Sequence, residues 1–128
     1  MLEQNKKPEE LNIDLSYLKD VASGSSEFMI EMIDIFLDQT PEYFEKLDQA
    51  VKDKEWKTVA DIAHKIKPTL IFMGVDVTKH DMGEIERKAR NLENLEEIEP
   101  QFHAIQHMST QLFKRLAEIK TELQLDES

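Results

Sequence analysis

The chain has 128 residues, 40% hydrophobic and 34% charged, which suits one domain around a single core. Its 27 acidic and 16 basic side chains leave a net charge of −11, which argues against nucleic acid or an anionic membrane as partner, since both need clustered positive surface. It has no cysteine, so disulfides are excluded and the chain fits a reducing compartment.

Three glycines and four prolines supply little turn chemistry, which favours long helices over sheets. Residues 1–12 are polar, carry Pro8 and have little to bury; they read as a flexible lead-in to a helical domain over 13–125. They also lack the apolar core of a signal peptide, and no apolar run in the chain approaches the roughly 18 residues of a membrane span. Asp14 can cap a short helix over 15–21, which Gly24 ends. Ser25 or Ser26 opens a longer helix with Met29, Ile33, Phe36, Phe44, Leu47 and Val51 at three-to-four spacing. Thr40-Pro41 interrupts it, yet the spacing persists from Phe36 through Thr40 to Phe44, so one bent helix is predicted.

Asp53-Lys54-Glu55 is too short for anything except an antiparallel neighbour. That neighbour runs from Trp56 to Gly74, a good left-handed terminator. The next helix begins at Asp76 or Thr78, with Thr78 and Asp81 as a loose capping pair and Met82, Ile85, Ala89 and Leu92 toward the core. Gly83 inside it costs about 1 kcal/mol against alanine. After an acidic turn from Asn94 to Glu99, Pro100 fits the first position of a final helix. Its seam is Phe102, Ile105, Met108, Leu112, Leu116, Ile119 and Leu123. These elements make an all-α fold, an antiparallel up-and-down four-helix bundle with an additional short N-terminal helix.

The helix from Trp56 carries the chemistry. Placing His64 at the zero of a helical wheel puts Val59, Ile62, Ile66, Leu70 and Met73 within about 60° of the opposite pole. The core face is complete without the histidine, which therefore stands in solvent. Lys67 lies about 60° away, one turn along. Ala60, Pro68 and Ile71 flank the imidazole with small or apolar groups, a flat surface that a partner could approach. Lys65 is about 100° round and reaches the site only at full stretch. An exposed imidazole nitrogen is a competent nucleophile for phosphoryl transfer, and a nearby cation stabilises the charge on the transferred group. Pro68 lacks the N–H that would bond the His64 carbonyl and its ring crowds that oxygen, so a kink is expected just after the histidine.

Other candidates read as structure. His103 and His107 are four apart on a polar face without a third ligand, a solvated pair; His80 reads as a surface histidine. Trp56 packs at the bundle end or on the preceding helix, and Met29, Met32, Met73, Met82 and Met108 fall at or beside core positions. The runs Glu96-Glu97-Ile98-Glu99 and Asp126-Glu127 read as solvated surface. With no P-loop, glycine-rich loop or acidic triad, no metal and no nucleotide site is expected.

The run Ala63-His64-Lys65-Ile66-Lys67, closed by Met73-Gly74, resembles the histidine-containing phosphotransfer (HPt) domain family. Glu86, Ala89 and Arg90 match the family's next-helix pattern, E-x-x-A-R, and the resemblance covers roughly residues 14–123. Pro68 stands where the family has glycine. The resemblance implies that His64 accepts a phosphoryl group from a receiver-domain aspartyl phosphate and passes it to another receiver. Lys67 would stabilise the phosphoryl group, Lys65 would be a secondary cation, and Ala60, Pro68 and Ile71 would form the receiver-docking face. It further implies receivers of response regulators and hybrid histidine kinases as partners, and Mg²⁺ on the partner with no cofactor here. The protein would be a cytoplasmic monomer, a phosphoryl carrier without turnover of its own. The alternative is a non-catalytic bundle that docks a signalling partner through the face around His64. A third reading, the dimerisation segment of a histidine kinase, meets Lys65 where that family has glutamate.

Overall fold

The computed structural model describes residues 13–127; residues 1–12, expected as a flexible lead-in, and residue 128 lie outside the described residues, as do the side chains of residues 76–79 and 127. Thr78 of the expected Thr78–Asp81 capping pair falls among the latter, so that pairing lies outside the described residues. Five α-helices follow in order: α1 (Ser16–Val21), α2 (Ser26–Lys52), α3 (Trp56–Phe72), α4 (Asp76–Asn91) and α5 (Ile98–Glu127), with one 3₁₀ turn at Leu95–Glu97. Helix α2 packs on α3 and α5, and α4 packs on α3 and α5, which closes a four-helix ring. Helix α1 adds to one end, burying Leu18 completely. No described helix is long and apolar enough to cross a membrane.

The core follows the spacing of the sequence. Ile33 and Leu47 from α2, Val59 and Ile66 from α3, Met82 and Ile85 from α4, and Phe102, Ile105 and Leu116 from α5 are fully buried. Between α2 and α5, Phe44 stacks on Phe102 at 6.3 Å and meets Phe113 edge-on at 6.0 Å, each pair contributing about 0.5–1.5 kcal/mol beyond its burial. Helix α2 continues through Pro41, with Thr40 buried, because the apolar register never breaks there. Ser25 caps it, its hydroxyl accepting from the Phe28 amide at 3.2 Å.

Three expectations shift. Leu92 is 64% exposed, because it takes the left-handed position that ends α4 (φ 56°). Helix α5 starts at Ile98, so Pro100 sits within its first turn, where a missing N–H is still harmless. Ser109 is buried where Met108 was expected; its hydroxyl is satisfied by the Gln106 carbonyl at 2.6 Å.

The chain before α1 is clamped to the end of α3. Asp14 donates its amide to the Gly74 carbonyl at 3.2 Å, while its carboxylate accepts from the Ser16 amide at 3.0 Å and hydroxyl at 2.6 Å. Gly74 has φ +72°, and a Cβ there would lie 1.7 Å from the Asp14 oxygen. Only glycine fits, for backbone geometry and space at once.

Candidate functional site

Helix α3 buries Val59, Ala60, Ala63, Ile66 and Leu70, and leaves the His64 side chain 66% exposed. Pro68 and Lys65 are exposed as well, and Ile71 is 46% exposed. Ala60 departs from expectation: it is 0% exposed and so cannot belong to a docking face. The reason is that α3 has two neighbours. Helix α4 packs on the side of α3 from which Glu86 reaches Lys67, and on the helical wheel Ala60 and Ala63 fall on that same side, where methyl side chains leave room for a close approach. The buried arc therefore extends round to within about 40° of the histidine instead of staying centred on the opposite pole. Helix α3 continues through Pro68 to Phe72. Proline has no amide hydrogen, so the His64 carbonyl receives no bond from the residue one turn along.

The close α3–α4 contact brings in Glu86. Its Oε2 lies 2.9 Å from His64 Nδ1 and its Oε1 2.8 Å from Lys67 Nζ, with the carboxylate side chain only 16% exposed. Arg90, one turn further on α4, places Nη2 3.6 Å from Glu86 Oε2 and Nη1 2.9 Å from Asp61 Oδ1. Lys57 reaches the other Asp61 oxygen at 3.3 Å. Histidine and lysine on α3 are thus held by one carboxylate from α4, itself braced by an arginine tied back to α3.

The electrostatics keep that carboxylate charged. Burial pushes the Glu86 carboxyl up, but the hydrogen bonds and charges of Lys67 and His64 outweigh it and hold the group below its ordinary value. Asp61 is also held low, chiefly by the Arg90 hydrogen bond and then by Lys57, while Arg90 is raised chiefly by Asp61. An ionised carboxylate can only accept. The hydrogen between Glu86 and the imidazole is therefore on Nδ1, and in the neutral ring the lone pair belongs to Nε2.

Two grooves flank the C-terminal half of α3, beyond the histidine. On the α4 side, Lys67, Ile71, His80, Gly83, Glu84 and Arg87 line about 400 Å³. On the α2 side, an apolar groove of about 320 Å³ runs between Met32, Ile35, Tyr43, Pro68 and Phe72, with Ile35 43% exposed. Pro68 thus contributes its ring to an apolar surface one turn beyond the imidazole.

The other candidates stay apart. Lys65 takes no part in the described ion pairs of the site. His80 pairs with Glu84 at 3.3 Å, His103 and His107 are exposed, and Trp56 packs partly buried against the core. Among the described residues no group of three or more acidic or histidine side chains could hold a metal ion. Sequence reasoning matched Glu86 and Arg90 to a motif without seeing their contacts. It missed Asp61, whose only signal was an acid one turn before the histidine.

The comparison with curated proteins returns no match. Among solved structures, the fold is similar to the HPT domain from the Hpt sensor hybrid histidine kinase of Shewanella, with TM-score 0.74, 22% identity, 86% of this chain covered and 94% of that chain. The Hpt domain family model matches residues 31–125, which takes in most of α2 and all of α3, α4 and the described helix α5 up to its last turn. A histidine exposed on the second long helix, a lysine one turn on and an E-x-x-A-R helix packed against both lie inside that match; the chain belongs to the Hpt domain family, whose members carry phosphoryl groups in phosphorelays.

Proposed function

We propose that the protein is a phosphorelay intermediate that takes a phosphoryl group onto His64 from a receiver aspartyl phosphate and passes it to a second receiver. The observation that carries this reading is the Glu86 carboxylate on Nδ1, which leaves Nε2 as the nucleophilic nitrogen of an exposed ring. The Nε2 lone pair attacks phosphorus, the N–P bond forms, the P–O bond to the aspartate breaks, and the carboxylate leaves with that electron pair. Lys67 supplies the cation for the equatorial oxygens, and Lys65 adds only a long-range positive charge. Receivers of response regulators and hybrid kinases dock on the apolar surface around Pro68 and Ile71, extended by Ile35 across the groove to α2. The receiver brings Mg²⁺; this chain acts as a cytoplasmic monomer without turnover of its own, because the histidine is itself the substrate.

The test is transfer of label from a phosphorylated receiver to wild type and to His64→Gln. Acid-labile, alkali-stable label on wild type and none on the variant is the expected outcome. Receivers that bind both proteins equally and label neither would assign the bundle to docking alone.

A further inference from the structure

The Glu86 contact does more than orient a ring. Phosphohistidine gives up its phosphoryl group readily only when the other ring nitrogen is protonated. With a hydrogen on Nδ1 the leaving group is neutral imidazole; without it, the ring would have to leave as an imidazolide anion. The lifetime of the carrier therefore depends on which protonation state of the phosphorylated ring the protein favours.

We propose that Glu86 keeps the hydrogen on Nδ1 through both transfer steps, so that the phosphohistidine is a phosphoimidazolium paired with a carboxylate and ready to pass its phosphoryl group on. This rests on the phosphotransfer reading of His64. On loading, Nε2 donates its electron pair to phosphorus and the ring becomes cationic while Nδ1 retains its hydrogen. On unloading, the N–P electrons return to Nε2 and neutral imidazole is restored. No proton enters or leaves the site in either direction.

The surroundings favour this arrangement. Glu86 is largely buried, so its charge is poorly screened by solvent. It accepts from Nδ1 at 2.9 Å. In the unloaded protein Lys67 at 2.8 Å and Arg90 at 3.6 Å also draw on that charge. Once a phosphoryl group sits on Nε2, Lys67 is attracted to its oxygens, and the imidazolium takes a larger share of the carboxylate. Arg90 continues to share it at 3.6 Å, while its other terminal nitrogen is bonded to Asp61 at 2.9 Å. The remaining charged and titratable groups on this side are Lys65 and Lys57 on α3, and His80, Glu84 and Arg87 on α4 beyond Lys67. Among the described ion pairs of the site, α2 contributes none.

The experiment loads wild type and Glu86→Gln with phosphoramidate, a small phosphodonor that needs no receiver. His64→Gln identifies the signals of the other histidines. Phosphorus NMR then follows the phospho-His64 resonance and its decay from pH 5 to pH 9. Glutamine keeps the size and an accepting oxygen but not the charge. The expected result is a titration displaced to lower pH in Glu86→Gln, with a lifetime lengthened about tenfold per unit of displacement at pH values above both midpoints. A merely structural role for Glu86 would change loading without moving the titration. If Glu86→Gln fails to fold, Glu86→Asp, which withdraws the charge from Nδ1, gives a smaller displacement in the same direction. Superimposable titrations and lifetimes overturn the inference. Loading by phosphoramidate without loading by any receiver overturns the relay reading instead, while the two titrations still decide the role of Glu86. Absence of a His64 signal with phosphoramidate overturns the assignment of Nε2 as the open nitrogen, and the inference with it.

Discussion

Replacing Pro68 with alanine should make this protein more stable. Proline inside a helix costs about 3 kcal/mol, through its missing hydrogen bond and the clash of its ring with the carbonyl one turn back. That carbonyl belongs to His64, and the nearby Thr69 hydroxyl does not serve it, being bonded to the Ile66 carbonyl at 2.6 Å. Proline returns about 0.4–1 kcal/mol by restricting the unfolded chain. Pro68 is exposed, so little burial is lost with its ring. The net expectation is a gain of about 2 kcal/mol, seen in urea as a higher midpoint at unchanged slope and in heating as a Tm raised by about 6–10 °C. Under the proposed function the same variant should still load His64, since neither Lys67 nor Glu86 is touched, but it should bind receivers more weakly because an apolar ring is gone from the proposed docking surface. A gain below about 0.5 kcal/mol would refute the reasoning. It would mean that α3 has relaxed around the ring and that Pro68 carries no strain.

Ala60→Leu should destabilise the fold by about 1–3 kcal/mol, since Ala60 is fully buried, and should weaken the His64–Glu86 contact by forcing α4 away. Urea unfolding and the imidazole NMR signals check this; a neutral substitution would return Ala60 to the surface. Gly74→Ala should cost about 2–3 kcal/mol, from a left-handed alanine and the lost Asp14–Gly74 hydrogen bond, with loading of His64 unchanged. Stability should also fall in acid. Glu86, Asp61 and Glu84 are held below their ordinary values in the folded protein, Glu84 chiefly by its hydrogen bond from Gln101. Depressed carboxyls contribute stability that is fully present above their ordinary range and is lost as pH falls through the folded values. The urea midpoint should therefore hold from neutrality to about pH 5 and decline below it, less steeply in Glu86→Gln.

Helices were legible because their signal is local. Phe36, Thr40, Phe44 and Leu47 hold one register across Pro41, and that alone decides that α2 is continuous. Contacts between helices were not legible, because they depend on relative rotation and height. Lys88 is the plainest case. It is nearly buried, bonded to Glu97 at 2.9 Å and to Gln101 at 2.9 Å; Glu97 itself stays exposed as its run suggested, and the residue of that run that departs is Ile98, which is fully buried. Leu92 obeys the apolar spacing of α4 but lies where the backbone turns left-handed, and the turn overrides the pattern. For the site, the wheel placed His64 and Lys67 correctly on one face. It could not place Glu86, whose role is visible only once α4 is set against α3.

Ala60 and Glu86 are two sides of one packing decision. A wheel drawn for α3 alone treats small residues near the histidine as open surface, because nothing in one helix says where the next will lie. Once α4 lies on that flank, smallness acquires another purpose: the distance between two helices is set by the side chains between them. Ala60 and Ala63, both fully buried, let α4 come near enough for a glutamate to reach Nδ1 and Nζ together. Larger residues at either position would hold the helices apart and leave the histidine exposed but unsupported. The His64–Glu86 contact thus depends on two buried methyl side chains, and under the phosphotransfer function proposed for His64 a change in the α3–α4 packing should weaken that contact together with the stability of the fold.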